Sequence, residues 1–221
     1  MPSDFPGSPK LLKGALVVFE TAIPVPTNLI VFQYNPDTMT RSFKPVGGTG
    51  GDPSQGAGDT QHVPLPPLES FQMTVDLDAA DQLEASNPLA RGVGLHPTLA
   101  ALELLLYPPS TQLILNKALS LLGSSIISPA EAPMVLLVWG APRVVPVRVT
   151  AVGITEQAFD QILNPIRAQV TLGLRALTPV ELQQAGTPFD TLAIVNHIAK
   201  EVLARANIVN SVQQITTMLP F

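Results

Sequence analysis

From Ile166 to Ala176 every second residue is apolar, and this alternation constrains the fold more than any other feature of the chain. Ile166, Ala168, Val170, Leu172, Leu174 and Ala176 stand against Arg167, Gln169, Thr171, Gly173 and Arg175. A period of two places the first set on one face of a β-strand and the second set on the other. The stretch from Ser70 to Asp78 repeats the pattern, with Phe71, Met73, Val75 and Leu77 against Gln72, Thr74 and Asp76. Strands with one buried and one wetted face suit antiparallel pairing, because parallel strands buried on both faces read as continuous apolar runs. Val145, Val147 and Val149 share one face of a further strand, with Arg148 and Thr150 on the other. That strand and Ile166–Ala176 are expected to form an extended hairpin with a moderate connection. A one-residue slip would reverse every side chain. Val170, Leu172 and Leu174 are therefore expected inside, and Arg167, Gln169, Thr171 and Arg175 on the wetted face.

Residues 12–19 and 29–34 read as two further strands joined through Pro24, Pro26 and Asn28, and Met134–Trp139 as a short buried strand between Pro133 and Gly140. Residues 45–67, dense in glycine and proline, are expected to be a long mobile loop. Pro97 suits a first helical position, and Leu99, Leu102, Leu105 and Leu106 recur at helical spacing until Pro108. A second helix is expected over 111–122, closed by Gly123, so that 97–122 forms a helical insertion. Thr187-Pro-Phe-Asp190 has the form of a capping box. It opens a terminal amphipathic helix with Leu192, Val195, Ile198, Ala199, Val202, Leu203 and Ala206 on its apolar face. The expected organisation is a mainly β (α+β) domain over 1–180 and a helical extension over 187–221.

Composition asks for more buried surface than one core supplies. Charged residues are 13% of the 221, hydrophobic residues are 46%, and the mean hydropathy is +0.30; ordinary domains carry about 25% charge. A membrane helix does not explain this, since it needs roughly 20 consecutive apolar residues. The best run, Leu113 to Ile127, is interrupted by Asn116, Lys117, Gly123, Ser124 and Ser125. Pro2, Asp4, Pro6, Gly7 and Pro9 stand where a secretory leader would carry basic and then apolar residues, so direct membrane insertion is not expected and the cytoplasm is the expected compartment. Charge depletion is the usual mark of a large subunit interface, so an oligomer is expected.

Catalytic chemistry finds little support. There is no cysteine, hence no disulfide or thiolate. The net charge of −5, with no lysine between Lys44 and Lys117, argues against nucleic acid as a partner. His62, His96 and His197 are scattered, and no Gly-x-Ser-x-Gly elbow accompanies them. Asp76, Asp78 and Asp81 lack the glycine and the closing glutamate of a calcium loop. The glycines from Gly47 to Gly58 lack the Gly-Lys-Ser/Thr ending of a phosphate cradle. No catalytic, cofactor-binding or metal-ligating residue is assigned, and a non-enzymatic role is expected.

The strand and Asn-Pro turn Phe32-Gln-Tyr-Asn-Pro36, the strand exit Leu77-Asp-Ala-Ala-Asp81, His96-Pro97 and Leu102-Glu-Leu-Leu-Leu-Tyr-Pro108 occur in this order. The set, spread over roughly residues 11–178, resembles the tube-domain proteins of contractile injection systems. The nearest likeness is to the baseplate component that joins the central spike to the inner tube and usually carries a LysM module. A LysM module opens on a Gly-Asp-Thr-Leu type segment, whereas here strand material stops near Thr178 and a helical tail follows. The resemblance implies a tube-fold β-sandwich or barrel with a flanking helix, closing with further copies into a hexameric ring. It also implies contacts with the spike protein, the inner tube protein and other baseplate subunits, within a phage-tail-like particle. On that ring Arg167, Gln169, Thr171 and Arg175 would be lumen or ring-facing residues, and Asn35, Pro36, Trp139, Leu192, Val195 and Val202 are the expected subunit-interface residues.

Overall fold

The computed structural model describes residues 12–19, 25–46, 65–84, 88–122, 132–140, 143–184 and 189–218. Most of the loop expected at 45–67, and Thr187 of the expected capping box, lie outside these residues. Among the described residues, seven strands form one antiparallel sheet: β1 Ala15–Phe19, β2 Pro26–Val31, β3 Met39–Lys44, β4 Leu68–Asp78, β5 Met134–Val138, β6 Val144–Phe159 and β7 Pro165–Ala176, in the order β2-β1-β5-β6-β7-β4-β3. The same residues include the helices α1 Ala80–Glu84, α2 Pro88–Val93, α3 His96–Glu103, α4 Ser110–Leu121, α5 Pro179–Gln184 and α6 Asp190–Met218. The protein is mainly β with added helices.

Two strand assignments differ from the sequence expectation. Met39–Lys44, to which no element is assigned from the sequence, is a strand paired along β4 from Met39↔Met73 to Lys44↔Leu68. The stretch after Thr150, expected as the connection of the hairpin, is the far half of the 16-residue β6. The hairpin with β7 is correspondingly long, and its turn spans only 160–164.

The inward faces meet in one core. Leu16 and Val18 of β1, Ile30 of β2, Phe71, Met73 and Val75 of β4, Val135 and Leu137 of β5, Val147 and Val149 of β6, and Val170, Leu172 and Leu174 of β7 form a single buried cluster. Strands from both ends of the sheet share it, so the sheet is curled. The Asp78 N–H, at the end of β4, donates to Gln33 Oε1 just after β2 at 2.9 Å. Leu95, Leu99, Leu102 and Leu105 of α3 and its flanks complete the cluster. β5 is buried on both faces: Met134 and Leu136 point the other way, into a second cluster with Phe19, Leu182 of α5, and Phe189, Leu192 and Ala193 at the start of α6. The first turns of α6 are thus part of the body. After that the helix stands clear, with every residue from Glu201 to Ile208 exposed.

Candidate functional site

Three surfaces stand out, and the first is the wetted face of the sheet. On β7, Arg167 and Thr171 are exposed and Gln169 and Arg175 half-buried, all pointing away from the core that holds Val170, Leu172 and Leu174. Their cross-strand partners are polar as well. Gln169 Nε2 donates to Asp76 Oδ1 at 3.1 Å, Thr171 and Thr74 hydroxyls stand 3.5 Å apart, and Arg167 lies opposite Asp78. Asp78 Oδ1 accepts from the Ala80 N–H at 2.7 Å, so two of the aspartates weighed as calcium ligands are engaged within the fold. Among the described residues no group of three His, Cys, Asp or Glu side chains is placed to hold a metal.

Arg175 departs from this column. Its guanidinium grips Glu181 of α5 with two hydrogen bonds of 2.8 and 3.1 Å, and the Thr178 N–H and hydroxyl donate to the same carboxylate. Chiefly through Arg175, and against the opposing effect of burial, the Glu181 carboxyl is held down to about 2 from 4.5. A depressed carboxyl contributes stability above its unfolded value that disappears as pH falls through the folded one. Acid titration between 4.5 and about 2 should therefore loosen α5 from the end of β7. Glu181→Gln should lower stability at neutral pH and flatten its pH dependence in that window, as measured by denaturant unfolding at successive pH values.

The second surface is a cleft of about 620 Å³ between α6 and the start of β4 and β6. Phe43, Leu65, Pro67, Pro146, Leu177 and Ile194 supply apolar walls, and Glu69, Asn196, His197 and Lys200 the polar edge. Glu69 is the one buried acid among the described residues, 6% exposed. Burial raises its carboxyl, but Lys200 and Arg41 outweigh that and hold it below its ordinary value. Lys200 Nζ binds one Glu69 oxygen and Arg41 the other, and both cations lie over the Phe43 ring. Asn196 Nδ2 donates to the Val144 carbonyl. These bonds, from residues separated by 28 and 131 positions, tie α6 across the mouth of the curled sheet. The cluster was missed in the sequence, although Glu69 shares parity with Phe71 and Met73 and so sits where strand alternation demands an apolar side chain.

The third surface is exposed apolar area, which monomers rarely carry in quantity. Leu121 and Leu122 of α4 are 80% and 83% exposed, and Ile162 and Leu163 at the β6–β7 turn 70% and 77%. No helix among the described residues is long and apolar enough to cross a membrane.

The expected interface residues divide. Asn35 bridges the chain before β1, accepting from the Gly14 N–H and donating to the Leu12 carbonyl, each at 2.8 Å, with Pro36 half-buried beside it. Trp139 is half-buried against the main core, its ring 6.3 Å from that of Phe32. Leu192 is half-buried in the second cluster, whereas Val195 and Val202 are exposed. Asn35, Trp139 and Leu192 therefore have intramolecular work, Pro36 is half-buried, and Val195 and Val202 lie on open surface. No protein-family model matches the chain, nor does any curated protein match it.

Proposed function

We propose that the protein is a structural baseplate component of a contractile injection system, joining the central spike to the inner tube and initiating tube stacking, without catalysing a reaction. The observation that carries this reading is a curled sheet with two one-sided edges and a polar outer face. Among the described residues β2 pairs with β1 alone and β3 with β4 alone. A one-sided strand is a template for a further strand, and closing a ring is one way to remove it. β2 of one copy against β3 of the next is a heterologous contact that closes if the rotation per subunit is right, six copies giving the hexamer. The wetted faces of β4, β6 and β7, with Arg167, Gln169 and Thr171, would then line the lumen. Exposed Leu29 and Val31 on the β2 edge fit a contact covered in the ring, and the low charge of the chain fits subunits that bury two faces each. The spike protein, the inner tube protein and neighbouring baseplate subunits are the partners on this reading, with assembly in the cytoplasm. A tube or tube-terminating ring of the same machine would use the same contacts.

The test is the place of the chain in purified particles. A tagged copy should be recovered with spike and tube proteins and seen by cryo-electron microscopy as one hexameric ring between them. Recovery throughout the tube would favour the tube-protein role. A chain absent from purified particles would defeat the reading.

A further inference from the structure

Along α6, Ile194, Ile198, Glu201, Arg205 and Ile208 follow one another at spacings of four and three, and the same spacing continues to Val212. That spacing draws a single seam down a helix. The seam lies opposite Leu192, Asn196 and Lys200, which bind the helix to the body. Ile198 and Ile208 are 51% and 61% exposed, and Ile194, 48% exposed, stands at the lip of the cleft where the seam begins. Read backwards the seam is complementary to itself, for positions 198 and 208, 201 and 205, and 194 and 212 are each symmetric about residue 203.

We propose that in the free chain α6 pairs antiparallel with α6 of a second copy, about a two-fold axis at Leu203. Ile198 then meets Ile208 of the second copy, and Glu201 meets Arg205, each contact made twice by symmetry. The charges select the direction. Parallel pairing would stack Glu201 on Glu201 and Arg205 on Arg205, whereas antiparallel pairing sets opposite charges together at both levels. His197 Nε2 lies 3.3 Å from Glu201 Oε1, which leaves the second carboxylate oxygen for Arg205 of the other copy. The shape of the molecule permits it. Residues 201–208 are all exposed, so this stretch of each helix lies along residues 198–205 of the other, and the two bodies sit at opposite ends of the pair. The paired stretch, residues 194–212, is about 27 Å long at the helical rise, short enough that the dimer should dissociate on dilution. This pairing rests on α6 alone and does not depend on the assembly reading.

The experiment measures the molar mass of the full chain by light scattering over a range of concentrations. The wild type should move from the 23.4 kDa monomer toward twice that mass. Glu201→Arg or Arg205→Glu alone sets like charges face to face and should weaken the dimer at least tenfold, while the double swap E201R/R205E restores the complementarity and should recover it. All these positions are exposed, so folding, followed by circular dichroism, should be unchanged. Because the chain has no cysteine, paired cysteines report direction: I198C/I208C should cross-link into a covalent dimer on oxidation and I198C alone should not. A chain monomeric at every concentration, association untouched by either single charge reversal, or efficient cross-linking of I198C alone would each overturn the proposal.

Discussion

Leu172→Asp is expected to abolish the fold, while Thr171→Asp, one residue away on the same strand, is expected to be close to neutral. Leu172 is fully buried between Met73 of β4 and Val152 of β6, its register partners on either side. Removing a leucine of this kind forfeits about 1.5 to 3 kcal/mol of burial. An aspartate in its place adds several kcal/mol more, for a charge with no partner in the cluster around it. The sum is comparable to the whole stability of a typical domain, about 5 to 15 kcal/mol. Thr171 is exposed opposite Thr74 and Gly153, where the new carboxylate stays hydrated. Substitutions on such a surface usually fall within about 0.5 kcal/mol. Urea unfolding followed by circular dichroism gives the comparison. Similar midpoints for both variants would show that the period-two assignment of β7, and with it the identity of the polar face, is wrong.

Alternation carried the sequence reading as far as it remained regular. β4 and β7 keep a period of two throughout, and their buried and wetted sets stand where the pattern puts them. β6 does not. Its first apolar residues, Val145, Val147 and Val149, occupy odd positions. A bulge between Val149 and Ala151 then transfers the inward face to Val152 and Ile154, and two more irregularities follow between Glu156 and Phe159. Each extra residue shifts the parity, so the far half of a long strand reads as irregular chain. β3 was hidden for a different reason. It is an edge strand, and its middle inward position is held by Arg41, which is satisfied by Glu69 rather than by apolar packing. Such a pairing across 28 residues has no local signature.

The terminal helix shows the complementary limit. Its apolar residues were legible as an amphipathic pattern, but the pattern did not distinguish two faces. Leu192 packs into the second cluster, while Val195, Ile198 and Val202 face outward. Periodicity reports that a residue lies on a stripe, and only the tertiary contacts of Asn196 and Lys200 say which stripe meets the body. The same contacts bear on any truncation intended to remove the tail. A cut at 188 would strip Phe189, Leu192 and Ala193 from Phe19, Met134 and Leu136 and leave Glu69 without Lys200. A cut after 203 leaves both the second cluster and the Lys200–Glu69 pair intact.

Gly94→Ala should destabilise the fold strongly for an exchange of one small residue for another. Gly94 joins α2 to the residues leading into α3 at φ +55°, the left-handed region in which a side chain is disfavoured. Its conformation is pinned from both sides: the Gly94 N–H donates to the Ala90 carbonyl at 3.0 Å, and the next N–H, of Leu95, donates to the Pro165 carbonyl at 2.9 Å. A methyl group on Gly94 would press against that same Pro165 oxygen, far inside van der Waals contact, and lie 3.1 Å from Asn164 Cβ. Neither neighbour can yield cheaply, since Pro165 begins β7 and Asn164 is held by Asp160 through the turn. The left-handed backbone costs alanine about 1 to 2 kcal/mol. Separating the α2–α3 junction from β7 would also lift Leu95 and Leu99 off the core, for a total of about 3 kcal/mol or more. In a chain of this size that lowers Tm by about 6 to 12 °C. Gly92→Ala is the matched control two residues earlier: its methyl meets nothing within 4 Å, it lies inside α2, and it should be neutral or stabilising by up to about 1 kcal/mol. If thermal unfolding gave both variants the same Tm, the left-handed junction would not be what seats α3 over the sheet.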